Sequence, residues 1–229
     1  MKLERNLALD SLRATIQLIL VGFILEFILR IGRLDALILI LLFMCAVASA
    51  VASKEGRKIP RVYGASFVGI ITGSSITFII LYSVGIIPPE ARYIIPLGGM
   101  IVGNAMKAVS LALNHLVGEL ENKRGRIETL LALGAGPRQA CAEPLQESVR
   151  SAMIPTIAML KTVGLVHLPG IMTGFIIAGG SPVLAVKYQL VVIYMIVGTT
   201  GVACLITTLI AYRQCFNKDL QLLRCFGTQ

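Results

Sequence analysis

The sequence is poor in charge. Only 14% of its 229 residues are Asp, Glu, Lys or Arg, while 56% are hydrophobic and the mean hydropathy is +0.82. A soluble domain of this size carries roughly a quarter charged residues, because its surface must face water. A surface with so few charges faces lipid instead. Catalytic signatures are missing as well. No G-x-x-x-x-G-K-[ST] stretch occurs, so the chain holds no P-loop for ATP. There is no His-x-x-x-His pair, cysteine cluster or nucleophile elbow, so an enzyme is not expected. The five cysteines (Cys45, Cys141, Cys204, Cys215 and Cys225) form no CxxC pair. Two of them fall in apolar runs and three in segments read as cytoplasmic, so disulfides are not expected. The N-terminus has no small-residue cleavage site, and the first apolar run already contains Arg13. It therefore reads as a retained span.

Six long apolar runs are present, at about 11–29, 34–52, 64–87, 94–116, 152–179 and 189–212. A hydrocarbon core about 30 Å thick needs roughly 20 apolar residues per helix. The expected fold is an all-α, polytopic membrane protein of about six transmembrane helices. It forms a single domain over residues 1–229, with membrane lipid as its surroundings. The net charge of +9 does not point to nucleic acid, because the basic residues sit in short segments between apolar runs. Lys54, Arg57, Lys58 and Arg61 crowd the 53–61 connection, and Lys123, Arg124, Arg126, Arg138 and Arg150 lie in the long 118–150 loop. The positive-inside rule places both loops in the cytoplasm and the Pro88-Pro89-Glu90 turn outside. Both termini then fall in the cytoplasm, in keeping with Lys2 and Arg5 and with Arg213, Lys218 and Arg224. Arg30 and Arg33 fall on the outer side, partly offset by Asp35.

Small residues recur at helix-packing spacing in Gly69-x-x-x-Gly73, Gly99-x-x-x-Gly103 and Gly170-x-x-x-Gly174. Two runs look interrupted. The 94–116 run opens with Pro96 and carries Asn104, Lys107 and Asn114. The 152–179 run holds Pro155, Gly164, Pro169 and Gly170, with Lys161 and His167 between. Interrupted helices at membrane depth line cavities or pathways. Ionisable groups inside spans are functional candidates by default, here Arg13, Glu26, Lys107, Lys161 and His167. The plainer readings are that Arg13 and Lys107 snorkel to an interface and that Glu26 pairs with Arg30 one turn on. Met100, Met106, Met159 and Met172, with His167, offer thioether and imidazole ligands for transient metal contact. Methionine is equally an ordinary packing residue.

The most informative segment lies outside the runs. From Arg126 to Ala140 the chain reads as a short amphipathic helix ended by Gly134, a turn at Gly136-Pro137, and a second helix over 143–150. Leu130, Leu131 and Leu133 give it an apolar face, which fits either a docking helix or a helix lying on the membrane surface. Glu128 and Gly134 stand at the Glu-to-Gly spacing of the EAA coupling loop of ABC importer permeases, with Thr129 and Leu130 in place of its two alanines.

Three longer motifs extend the likeness: Pro96-Leu-Gly-Gly-Met-Ile-Val-Gly-Asn-Ala-Met106, Leu131-Ala-Leu-Gly-Ala-Gly-Pro-Arg-Gln-Ala140 and Lys161-Thr-Val-Gly-Leu-Val-His-Leu-Pro-Gly170. With Arg13 and Gln17, Thr173-Gly174, Ala178-Gly179, Pro182 and Tyr188-Gln189, they resemble the FetB family of bacterial iron-export ABC permeases, which is related to plant permeases of aluminium tolerance. The resemblance implies a permease exporting iron or a related metal ion, with residues 118–150 as the coupling loop. Glu128, Leu130, Leu131, Leu133, Gly134 and Arg138 would meet a separate ABC ATPase subunit. Arg13, Gln17, Glu26, Asn104, Lys107, Lys161 and His167 are candidates for the translocation pathway. ATP and magnesium would be bound by the ATPase, leaving this chain with no cofactor. A permease homodimer in a bacterial-type plasma membrane is expected. Members of the resembled family usually carry a further N-terminal helix, so the chain is expected to begin just before the second, and they tend to have Ser where His167 stands and Met where Ile171 stands. A permease for a non-metal cargo and a secondary transporter are the alternatives.

Overall fold

The computed structural model describes residues 9, 11–23, 34–85, 88, 90–166, 168–217 and 221–223. Its helices are α1 (Ser11–Phe23), α2 (Leu34–Ala52), α3 (Val62–Ser83), α4 (Ala91–Asn122), α5 (Arg124–Ala132), α6 (Pro137–Ala140), α7 (Ala142–Thr162), α8 (Gly170–Ile177) and α9 (Pro182–Ala211). A 3-10 turn, Tyr212–Cys215, follows α9. Helices suit this chain because lipid offers no partner to an open N–H or C=O, so each span must satisfy its own backbone. Among the described residues, α2, α3, α4 and α9 are long and apolar enough to cross a membrane. At 1.5 Å per residue, α4 is about 48 Å long and α9 about 45 Å, so both extend beyond a core of about 30 Å.

The most extensive helix pair is α3 with α9. Its cause is the first glycine motif. A Cβ on Gly69 would lie 2.0 Å from Thr207 Oγ1 and 2.8 Å from the Ala203 carbonyl oxygen. One on Gly73 would lie 2.9 Å from the Thr199 carbonyl oxygen. The two backbones meet at a distance only glycine allows. One turn on, the buried hydroxyls of Thr77 and Thr199 hydrogen-bond at 2.7 Å. Around this seam α4 packs on α2, α3, α7 and α9, burying Val102, Ala105, Val109, Ala112, Leu113, Leu116 and Leu120. The other two glycine motifs have no such neighbour. A Cβ on Gly99 would meet only Met44 Cε at 3.4 Å, and Gly103, Gly170 and Gly174 have nothing within 4 Å.

The two runs read as interrupted behave differently. The 94–116 run is not broken, because α4 runs as one helix from Ala91 through Pro96 to Asn122. Pro96 lies on the exposed side near the start of the helix. The N–H it lacks would have reached only the Arg92 carbonyl, close to the helix end, so the loss is small. The 152–179 run does divide. Helix α7 starts in polar sequence at Ala142 and ends at Thr162, Gly164 turns the chain at φ 81°, and Pro169 caps the short α8. Gly179 at φ 84° then turns the chain into α9.

The seam predicts an asymmetry between glycines. Gly73→Ala should destabilise the folded protein by about 1–3 kcal/mol, while Gly198→Ala, at an exposed position of α9 with nothing within 4 Å, should not destabilise it. Thermal loss of monodisperse protein in detergent measures both. Equal effects at the two positions would contradict the close α3–α9 approach.

Candidate functional site

The segment after α4 is built as a bracket. Lys123 separates α4 from α5, and the side chain of Ile127 in α5 is 1% exposed, inserted in the main apolar cluster with Leu116, Leu120, Ala140 and Cys141. Helix α5 ends in a Schellman motif. Ala135 N–H donates to the Leu130 carbonyl and Gly134 N–H to the Leu131 carbonyl, both at 3.0 Å, with Gly134 at φ 89°. That left-handed conformation requires glycine in preference to any residue with a Cβ. Pro137 then opens α6, and Gly136 N–H donates to Gln139 Oε1 at 3.2 Å. The buried thiol of Cys141 is pushed up to about 12 by desolvation, so it is no thiolate at neutral pH.

The apolar residues of the segment separate. Leu130 and Leu131 pack against the core cluster, whereas Leu133 is 79% exposed. Glu128, Gly134 and Arg138 are exposed as well. Of the six residues expected to meet a partner, four are thus exposed, and two leucines hold the bracket to the body. The basic residues divide as well. Arg124 Nε lies 2.7 Å from Glu128 Oε1. Lys123 Nζ lies 2.6 Å from Glu119 Oε2 and 2.9 Å from Glu143 Oε1, while Arg126 reaches Glu143 Oε2 at 2.5 Å. Glu143, in the first turn of α7, therefore holds two cations from the α4–α5 junction. Hydrogen bonds donated by Lys123 hold the Glu143 carboxyl below its usual range, and the Glu119 and Glu143 carboxylates that accept them hold the Lys123 ammonium above its own. Single exposed pairs contribute little, and shared ones form a network. Lys123, Arg126 and Glu143 themselves line a cavity of about 210 Å³, together with Ile127, Leu130 and Pro144. Two further links fix the 53–61 loop to α4, between Lys58 and Glu121 and between Asn114 Nδ2 and Glu55 Oε2 at 3.1 Å.

The second feature is the open face of α4. At helical spacing, Pro96, Gly99, Gly103, Lys107, Ser110 and Asn114 lie along one side, opposite the buried side. Lys107 is exposed and sits two turns, about 10 Å, up the helix from the Asn114–Glu55 contact. Asn104 borders this face, and its Nδ2 donates to the Met100 carbonyl at 2.7 Å. A lysine set among glycine, serine and asparagine forms a polar lane, unlike the leucine-rich surface that lipid favours.

The methionine candidates are not gathered in one place. Met100 and Met159 pack on an apolar cluster that includes buried Met195, Met106 packs on the main cluster, and Met172 lies on α8. Among the described residues no group of three or more His, Cys, Asp or Glu could hold a metal ion. Arg13 and Gln17 are exposed on α1, and Lys161 is exposed near the end of α7. Glu26 and His167 lie outside the described residues. Sequence reading missed the buried polar line of Ser66, Ser74, Thr77, Thr199, Thr200, Thr207 and Thr208. Its signal was present in the threonine pairs repeated two turns apart on α9.

A helical bundle with lipid-facing apolar spans and a tied polar bracket at one end defines an integral membrane protein. The chain belongs to the Uncharacterised protein family (UPF0014), whose profile matches residues 1–216. It is 39% identical over 221 residues to the Probable iron export permease protein FetB of Escherichia coli (strain K12), covering 96% of this chain and 85% of that one. It is also 39% identical to the UPF0014 membrane protein STAR2 of Oryza sativa subsp. japonica, over 96% of this chain and 77% of that one. Identity to Protein ALUMINUM SENSITIVE 3 of Arabidopsis thaliana is 36%, over 97% of this chain and 81% of that one. The resemblance drawn from the motifs therefore holds. No solved structure matches.

The Glu143 network has a pH window. Glu143 has its acidity strengthened, so its contribution is complete above the ordinary carboxyl value of 4.5 and is lost as pH falls below it. Lys123 is raised, so its contribution is complete below 10.5 and is lost as pH rises beyond it. A spin label on exposed Thr129 should keep one mobility between these limits and loosen outside them. Glu143→Gln should show the loosened spectrum at neutral pH, and an unchanged spectrum would refute the clamp.

Proposed function

We propose that this chain is the membrane-spanning permease subunit of an ABC transporter that exports iron or a related metal ion. A separate ATPase subunit supplies the energy and docks on the α5–α6 bracket from the cytoplasm. The observation that carries this reading is the form of that bracket. The bracket exposes Leu133 while being fastened behind by Ile127, Leu130, Leu131 and the Glu143 network, a form suited to a surface on which a partner presses. An element of this kind passes a push at its surface to α4 and α7 together. Glu128, Leu133, Gly134 and Arg138 form the docking surface. The names of the bacterial and plant relatives support transport, and the bacterial name supports iron.

The open lane of α4 supplies the pathway in this reading, with a second copy of the chain closing it. Gly99 and Gly103 leave room for that approach. The same bracket would equally serve a permease with a non-metal cargo. A secondary transporter is less well supported, because carriers coupled to protons or sodium place carboxylates at mid-membrane. Between Asp35 and Glu90 at one end and Glu55, Glu119 and Glu147 at the other, the described helices contain none.

The full chain should co-purify with a P-loop ATPase. Gly134→Pro and Leu133→Asp should each release the ATPase or uncouple its hydrolysis, with the permease still present in the membrane at normal amounts. Cells without the protein should retain more iron under iron load than cells with it. An ATPase coupled as before in both variants would refute the docking surface, and equal iron content would refute the cargo.

A further inference from the structure

The sign of charge along the open lane bears on the chemical form of the cargo. Lys107 stands on the small, polar side of α4 between Gly103 and Ser110, and is exposed. It has no ion pair among the described residues. Asn114 lies two turns towards the loop end with its amide partly engaged by Glu55, and Asn104 and Ser110 add neutral polar atoms. No carboxylate shares this face within the span. Arg13 on α1, Lys161 near the end of α7 and Lys187 near the start of α9 are also exposed.

Between Gly99 and Ser110 a bare divalent cation would meet a fixed ammonium and no compensating carboxylate among the described residues of α4, the carboxylates of Glu55 and Glu121 standing at the loop end. Cation pathways are lined by Asp or Glu rings and carbonyls, and anion or phosphate pathways by Lys or Arg. Nor do the described residues offer a His, Cys, Asp or Glu group to hold a naked metal on the way. Snorkelling explains a lysine that borders a loop. It does not explain why the residues on the same side, one and two turns away, are Gly99, Gly103, Ser110 and Asn114 rather than lipid-facing leucines.

We propose that Lys107 selects an anionic cargo: iron crosses as a complex with a carboxylate- or phosphate-bearing ligand, or the organic anion itself is the cargo. This rests on the permease reading and narrows its substrate. Two copies closing the lane would present two such ammonium groups, and the neutral amides of Asn104 and Asn114 would contact the ligand's remaining oxygens.

The test uses everted membrane vesicles from cells producing the full chain with its ATPase, so that export is read as ATP-dependent uptake. Three labelled solutes are offered: ferric citrate, citrate without metal, and ferrous iron without chelator. Variants are compared at matched membrane abundance. Uptake of a citrate-containing solute should be kept by Lys107→Arg, fall at least about tenfold in Lys107→Met, and be abolished in Lys107→Glu. Uptake of ferric citrate alone identifies the chelate as the cargo, and uptake of metal-free citrate identifies the anion. Uptake of unchelated ferrous iron that Lys107→Glu matches or exceeds would overturn the proposal while leaving the permease reading standing. Citrate or ferric citrate uptake equal in all variants would also overturn it. Uptake of none of the three by the unaltered protein would remove the iron-permease reading and this proposal together.

Discussion

The close approach of α3 and α9 sets the geometry on which the rest of the fold depends. In lipid there is little hydrophobic gain from pressing two apolar helices together, so shape and hydrogen bonding must hold them. Gly69 and Gly73 let the α9 backbone come within contact of α3, and Thr77 and Thr199 bridge the same seam. Helix α4 then has a two-sided groove to lie in. It buries alanine, valine and leucine there, and it turns Gly99, Gly103, Lys107, Ser110 and Asn114 away from the body. The exposed lane is a consequence of how firmly the opposite side is seated.

The loop end of the bundle extends this rigidity. Helix α5 follows α4 after one residue, is anchored by Ile127, and is joined to the first turn of α7 through Glu143. Two helices that touch in the span therefore also share one bracket beyond it. Its charges are mostly committed internally, with Arg124 on Glu128 and Arg126 on Glu143. Among the described residues of the bracket, Arg138 is the cation with no ion pair, and Leu133 is the apolar side chain left uncovered. The bracket is thus tied to both α4, which carries the lane, and α7.

Much of this was legible in the residues. Hydropathy marked the spans because lipid demands continuous apolar stretches, and Gly134 marked the end of α5 because its left-handed backbone favours glycine. Pattern failed where three-dimensional context decides. Pro96 looked like a break, yet near a helix start its missing N–H removes little. The 152–179 run looked like one interrupted span, although α7 draws its first half from polar sequence before it. Leu130 and Leu131 belonged to the same apolar face as Leu133 on paper, but core packing turns them inward. The meeting of Thr77 with Thr199, and of Met195 with Met100 and Met159, depends on which helices are neighbours. Spacing within one helix does not report that. The open side of α4 was only half visible, because Gly99 and Gly103 read as a packing motif separate from Asn104, Lys107 and Asn114, and Ser110 was not noticed.

The central claim is that the outward side of α4 lines water within the membrane. Single cysteines placed along α4 and probed in intact membranes with a charged, membrane-impermeant thiol reagent test it directly, in a background without other reactive thiols. Positions 103, 107, 110 and 114 should react, while positions 105, 109 and 112 on the buried side and position 79 on the lipid-facing side of α3 should not. Reaction confined to the ends of α4, with 103, 107 and 110 inert, would contradict the account.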